Sequence, residues 1–493
     1  MISTDRYSIS PDRGAPLEVS IPNDRTRPLR PRPDPLEFGD AMRITEFQED
    51  ARLSQSEFRK IVEELEPKGY SGILRSTAST LKRITRSSYS PEEILEFSKA
   101  RIRPGVSEGS SVELFAQDAG TLYLLQPPED EGYDRDFRLG RLVEVPTNLQ
   151  LGFVSDASAH TDAILQFGNA VNDVIRDTVD GRRLRGMTLE WKPLRPIGRS
   201  VRALVTPRAG TSSPPQYENP EYSLKEAALA DDLAKSAVRA VLIEILEAGK
   251  TRLVDVVGRS DNAKERSATI ASLANTGLVT KEYLVVCQKS SRALTHVASL
   301  EEIKSGPTSQ LPCAECGRKF SEERTEEIIL PTELARTMMS SSRWMQIWLT
   351  VRLERLGIPR SEIVWNLVRA AEDIDVIAGI QGTLMFFELK DREFGLGDAY
   401  PFNYRVARYG GEIGIVLTCD KVAQDAKTFF EEQTKLRRRG EVVHEIHMIE
   451  GLEAAERKLE VISNSVAQTY LEMRLEGAGA RLRLSRLVTA TRG

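Results

Sequence analysis

"EDIDVIAGIQGTLMFFELKD" (Glu372–Asp391) decides how the C-terminal part of this chain folds. It holds two apolar runs about a glycine-containing turn, with charge where a buried strand would end. Side chains alternate along "DIDVIA", so Asp375 and Ile377 share one face of an expected strand. "GIQG" (379–382) supplies the turn. "TLMFFELK" then returns with Leu384, Phe386, Glu388 and Lys390 on a common face. A hairpin sets the start of its first strand beside the end of its second, which places Asp375 opposite the Glu388–Lys390 pair. Charges in that position are costly unless paired or bound to a metal.

Two nearby carboxylates repel unless a proton or a cation joins them. A hard divalent ion such as Mg2+ or Mn2+ suits that oxygen-rich geometry, can activate a bound water and can stabilise charge on a phosphate. Lys390 would orient the water, help deprotonate it or offset phosphate charge. The same residues also fit a salt-bridged, inert strand end. Upstream, "SSSRWMQIWLTVRLERLGIP" reads as an apolar-faced helix stopped by Gly357 and Pro359, with Ile347, Val351 and Glu354 on one face. Residues 361–371 fit helix or strand equally. Downstream, "PFNYRVARYGG", "EIGIVLTCD", "KVAQDAKTFFEEQTKLRRRG" and "EVVHEIHMIEGLEAAERKL" give helix, strand, helix, then strand and helix.

Asp375, twelve intervening residues, then Glu388-Leu389-Lys390 resembles the motif of the PD-(D/E)XK nuclease superfamily, especially Mrr-like restriction endonucleases and archaeal Holliday-junction resolvases. The resemblance covers about residues 331–460. Mrr-like members often carry Gln-x-Lys where this chain has Glu388-Leu389-Lys390. The family's preceding helix often carries a glutamate, and Glu354 matches it. The resemblance implies a restriction-endonuclease-like α/β domain with a central mixed sheet flanked by helices. It implies Asp375 and Glu388 as Mg2+ ligands with the Leu389 carbonyl, Lys390 serving the water and Glu354 supporting the metal shell. The activity implied is Mg2+-dependent DNA endonuclease action in defence against foreign DNA, by a homodimer or with a partner ATPase. The alternative is a non-catalytic DNA-binding or regulatory protein with a degenerate nuclease domain.

Towards the N-terminus, "LPCAECGRKF" carries Cys313-x-x-Cys316 followed by Gly317, a turn that aims two thiolates at one metal. A second pair is incomplete: "VVCQKSSRALTH" offers Cys287, Ser290 at the matching position, and His296. Residues 288–330 thus resemble a zinc ribbon that either holds structural Zn2+ through Cys287, His296, Cys313 and Cys316 or folds without metal. Cys419 in "EIGIVLTCD" reads as a core thiol. His444 and His447 alternate along "EVVHEIHMI" and cannot readily chelate one ion. "KLRRRG" (435–440) complements a helix end or tracks a DNA backbone.

Residues 223–287 resemble a winged helix-turn-helix. "SLKEAALADDLAKSAVRAVLIEILEAGK" reads as one amphipathic helix ending at Gly249, and a further helix runs from about Ala263 to Asn275, followed by Gly277 and a strand-like wing. Lys264, Arg266 and Lys281 are its candidate DNA contacts, against a protein-interaction role for the same surface. "TPRAGTSSPPQYENPEY" reads as a linker, bounded here as 208–222. Residues 39–207 form an unassigned mixed α/β region. Helical spacing is expected in "SQSEFRKIVEELEPKGY" and "SPEEILEFSKARI", and strands around Asp118–Gly120 and in "GMTLEWKPL" and "GRSVRALVTPR". His160 is its one histidine and has no catalytic neighbours. The Pro- and Arg-bearing residues 1–38 read as a disordered arm. Amphipathic pieces of "YLEMRLEGAGARLRLSRLV" (470–488), in the helical tail 461–493, would pack on a second copy.

The totals set bounds. The chain has 493 residues, enough for several domains. It is 40% hydrophobic and carries net charge −5, so any nucleic-acid contact must use local basic patches. No apolar run approaches the roughly 20 residues of a membrane helix. Four cysteines and a start lacking a secretory pattern point to a reducing cytoplasm. The expected whole is a multidomain α/β and α+β protein.

Overall fold

The computed structural model describes residues 41–73, 111–118, 120–127, 147–156, 162–194, 199–206, 215–258, 262–369 and 372–479. The expected arm 1–38, the helical segment 90–102 and His160 lie outside the described residues.

The N-terminal region builds an antiparallel sheet from β1 (Met42–Leu53), β2 (Ser111–Gln117), β3 (Gly120–Gln126), β4 (Thr147–Asp156) and β5 (Trp191–Pro193), in the order β2-β3-β4-β1-β5. Its strands are apolar on both faces, because both faces are covered. Phe115, Leu122, Leu124 and Phe153 pack with the helices Gln55–Leu65 and Asp162–Thr178. Leu114, Tyr123, Leu125 and Val154 pack instead with Ala467, Tyr470, Leu471 and Leu475 of the helix Ala455–Gly479. The tail therefore covers this sheet with Ala467, Tyr470, Leu471 and Leu475, so the described part of the segment expected on a second copy packs within the chain. Residues 480–493 lie outside the described residues. The contact centres on Glu46, 8% exposed, whose carboxylate accepts hydrogen bonds from Tyr123 (2.5 Å), Arg474 Nε (2.9 Å) and the Tyr470 hydroxyl. Gly152 faces Tyr123 across the β3–β4 ladder, and a Cβ there would lie 1.9 Å from the tyrosine ring.

Strand β6 (Gln216–Glu218) joins a later sheet. The next sheet is β7 (Thr251–Arg252), β8 (Val279–Val286), β9 (Ala293–Val297) and β10 (Arg324–Pro331), ordered β7-β10-β8-β9. Helices Ser236–Ala248, Leu253–Val257 and Ala263–Thr276 pack beside it. Gly277, at φ 82°, ends the last of these in the left-handed conformation that glycine adopts freely. The single amphipathic helix expected before Gly249 is two, Leu224–Leu233 and Ser236–Ala248. Buried Arg239 stabilises the break by donating to the carbonyls of Leu233 (2.7 Å) and Ala234 (3.2 Å).

The third sheet adds β11 (Ile363–Arg369), β12 (Glu372–Ile380), β13 (Thr383–Lys390), β14 (Ile413–Thr418) and β15 (Glu445–Glu450) to β6, in the order β15-β14-β13-β12-β11-β6. β6, β11, β12 and β13 pair antiparallel; β13, β14 and β15 pair parallel. The ambiguous segment after Pro359 is thus a strand. Helix Arg343–Arg355 and the first half of Ala455–Gly479 cover one face. Helices Leu396–Tyr409 and Gln424–Arg438 cover the other. The expected boundaries shift here. The linker carries β6, whose Glu218 pairs with Trp365. The expected strand in "GRSVRALVTPR" is the helix Val201–Val205, because Ser200 caps it and Val201 is buried against the third sheet.

Candidate functional site

The β12–β13 register pairs Val376 with Phe387, so Asp375 and Glu388 stand opposite each other one step beyond that pair. Asp375 Oδ2 accepts the Leu389 N–H at 2.7 Å. Lys390 Nζ lies 3.0 Å from Glu388 Oε1 and 3.7 Å from Asp398 Oδ1. Arg405, from helix Leu396–Tyr409, donates to Glu388 Oε2 at 2.9 Å and also to the Asp373 carbonyl. Removal from water and the neighbouring Glu388 push the Asp375 carboxyl up to about 7, against the Leu389 N–H that pulls it down. Burial alone would lower the Lys390 pKa; Glu388, Asp375 and Asp398 outweigh it and raise it, so the ammonium keeps its proton.

Two polar residues that the sequence reasoning missed brace this end of the sheet. Asn366 stands opposite Asp375 on the other side, between the pairs Trp365–Val376 and Leu367–Ile374. Its φ of 49° is strained for a side-chain-bearing residue inside a strand. Gln346, 1% exposed, donates to Asn366 Oδ1 at 2.6 Å and to the Asp375 carbonyl at 3.3 Å. A glutamine among Trp344, Met345, Ile347 and Trp348 on a buried helix was the available signal. Glu354, expected in the metal shell, is elsewhere. Its oxygens take Arg360 Nε (2.8 Å), Arg360 Nη2 (3.0 Å) and the Tyr222 hydroxyl. It lies two turns beyond Gln346 along the same helix, and it is Gln346 that reaches Asp375. Burial would raise the Glu354 pKa, but Arg360 and Tyr222 more than offset it and lower it.

The second cluster is Cys287, Cys313, Cys316 and Glu323, whose ligand atoms lie within 4.8 Å of one another and could hold a metal such as zinc. Two similar turns present the thiols. Gly317 N donates to the Cys313 carbonyl (2.8 Å) and Cys313 N to that of Arg318 (2.7 Å). Ser291 N donates to the Cys287 carbonyl (2.8 Å) and Cys287 N to that of Arg292 (2.9 Å). Gly317 and Ser291 both have positive φ, 79° and 57°. In the Cys287 turn Ser290 stands where a second cysteine would complete the pair, and its hydroxyl hydrogen bond is the main cause drawing the Cys287 thiol down to about 7. Glu323, anchored by the Gln288 N–H at 2.7 Å, completes the set and drives the Cys316 thiol up to about 12. His296, expected as the fourth ligand, instead pairs with Glu282 at 2.5 Å. The β8–β9 ladder sets that histidine opposite Leu284, away from the knuckles.

Lys264 and Lys281 are solvent-exposed, as a phosphate contact requires. Arg266 is committed elsewhere: it donates to the Val256 carbonyl at 2.7 Å and pairs with Glu244, tying two helices together. His444 Nε2 donates to Asn403 Oδ1 (2.8 Å) and His447 lies beside Glu445 (3.3 Å), so the two histidines serve separate partners. Burial pushes the Cys419 thiol up to about 11.

No family model matches the chain, and no curated protein matches it. Among solved structures it is similar to protein VC1899 from Vibrio cholerae, at 12% identity and a TM-score of 0.28. That match covers 54% of this chain and 60% of VC1899, so the chain spans about three-fifths of that protein's length. So distant a likeness carries no argument. Among the described residues no helix is long and apolar enough to cross a membrane.

Proposed function

We propose that the chain is a metal-dependent endodeoxyribonuclease whose centre is the Asp375–Glu388–Lys390 cluster. One observation carries the proposal: two opposed carboxylates and an ammonium meet at one sheet end, with Asp375 holding its proton to about 7. Asp375, Glu388 and the Leu389 carbonyl would hold Mg2+ or Mn2+, and the bound ion supplies Lewis acidity to the phosphate and acidity to a water. Lys390 orients that water and neutralises charge growing on the phosphate. Arg405 fixes the second Glu388 oxygen. Gln346 and Asn366 hold the Asp375 backbone in place. In this reading residues 223–287 form a winged helix-turn-helix, with Lys264 and Lys281 at the DNA backbone. Zinc in the Cys3Glu set would staple the long connection between β8 and β10.

The second reading is a DNA-binding or regulatory protein without catalysis. It is favoured by the two cations, Lys390 and Arg405, that already satisfy both oxygens of Glu388. Incubation with Mg2+ and supercoiled plasmid separates the two. Nicking by wild type but not by Lys390→Ala or Asp375→Ala supports the nuclease. Equal nicking by all three reveals a contaminant and removes that support. Salt-sensitive retention of DNA without nicking, even with ATP and cell extract added, supports the binder.

A further inference from the structure

Helix Leu396–Tyr409 reaches the carboxylate cluster along one line and shows solvent an aromatic stripe further round its surface. Asp398 and Arg405, seven residues apart and so on one face, point to Lys390 and Glu388. Ala399, Phe402 and Val406 are buried against the sheet. Tyr400 and Tyr404, one turn apart, are 56% and 54% exposed. Among the described residues, the other large exposed aromatic side chain is Tyr217. Both rings are held in place. Tyr400 packs on Phe429, centroids 4.5 Å apart. The Tyr404 hydroxyl accepts from Arg408 at 2.9 Å, with that guanidinium 5.6 Å from the ring centre. Arg408 is in turn fixed by Glu372 at the start of β12.

Exposed aromatic rings cost free energy in water, and these two lie on the helix that carries Arg405 to the cluster, with Tyr404 linked through Arg408 to Glu372, three residues before Asp375. Base faces stack on tyrosine whatever the sequence, while Arg405 and Arg408 stay paired with Glu388 and Glu372 and serve to hold the helix and the Tyr404 ring in place. A duplex keeps its base faces covered and offers such rings nothing to stack on. We propose that Tyr400 and Tyr404 form a stacking platform for unpaired bases, so that the strand delivered to the cluster is single-stranded, frayed or locally melted DNA. The inference rests on the nuclease reading for what the cluster does to that strand, and on the helix surface for how the strand is held.

The test uses the full chain with no Mg2+ or Mn2+ added and no chelator, so that hydrolysis is blocked and zinc is kept, with a single-stranded oligonucleotide carrying 2-aminopurine and with its duplex. Tyr404→Ala is expected to weaken single-strand binding roughly ten-fold and to relieve stacking-dependent quenching of the 2-aminopurine. Tyr404→Phe keeps both, and duplex affinity changes less than about two-fold. Wild-type single-strand affinity in the double variant Tyr400→Ala/Tyr404→Ala overturns the platform, as does an equal loss on duplex. If Lys390→Ala abolishes nicking while the tyrosine variants bind normally, the platform falls and the nuclease stands. If the tyrosines stack the single strand but wild type never nicks, the platform stands and the nuclease falls. Failure to bind either form of DNA overturns both.

Discussion

The Asp375 carboxyl holds a proton that the proposed cation would have to displace. Burial and the opposed Glu388 carry its pKa up to about 7. The native state therefore binds the proton more tightly than the unfolded chain, and ionising Asp375 destabilises the fold as pH rises from 3.8 through about 7. A divalent ion must displace that proton. Affinity for Mg2+ or Mn2+ should fall about ten-fold per pH unit below about 7 and level off above it. Calorimetric titrations from about pH 6 to 8, in buffers of different ionisation heat, should detect the released proton. A pH-independent affinity would remove Asp375 from the ligand set. The Glu354 carboxylate makes a contrast. Glu354→Ala should lower Tm through the loss of the Arg360 and Tyr222 contacts while metal affinity stays unchanged. Gln346→Ala should weaken metal binding roughly ten-fold, because an outer partner that fixes a ligand's position is lost. Reversal of those two outcomes would restore Glu354 to the site.

At the scale of elements, the long connection from β8 to β10 has little apolar core of its own beyond Val285, Val297 and Ile303. Its shape rests on the two knuckles that present Cys287, Cys313 and Cys316 and on Glu323 at the foot of β10. Purified chain should carry about one zinc, as a closed four-ligand site does. Cys316→Ser or a strong chelator should release it and open residues 287–323 to protease, with the third sheet intact. His296→Ala should keep the metal, since that imidazole belongs to Glu282. Elemental analysis beside limited proteolysis reads both. Zinc lost on His296→Ala and kept on Glu323→Ala would overturn the ligand set.

At the scale of the molecule, helix Ala455–Gly479 belongs to two cores. Leu459, Ile462 and Val466 pack with the third sheet, and Ala467, Tyr470, Leu471 and Leu475 with the first. Further ties join the same two parts: Asn464 Oδ1 accepts the Met42 N–H at 2.6 Å, and Gln381 in the β12–β13 turn donates to the Ile44 carbonyl at 3.0 Å. Arg474→Ala should therefore cost about 3 kcal/mol, because Glu46 is left buried with a charge that its two tyrosines only partly satisfy. Denaturant unfolding measures this, and hydrogen exchange should place the loosening in β1 and β4. A loss confined to the C-terminal helix would mean that the buried carboxylate is not the link.

The local pattern of the chain settled the hairpin at 372–391, the helices that flank it and the Asp375–Glu388–Lys390 set. Strand alternation and helical spacing are short-range rules that each segment carries in full. The Cys-x-x-Cys turn and Gly277 were legible for the same reason, since a knuckle and a helix end are built from adjacent residues. Contacts between distant segments were not legible. Glu323 replaces His296, Gln346 replaces Glu354, β6 emerges from a linker, and Arg266 turns inward to Glu244. Each is decided by which side chains packing brings within about 3 Å. The tail is the clearest case: its apolar face was visible in the sequence, but only the exposed flank of a sheet begun more than 400 residues earlier gives that face a partner.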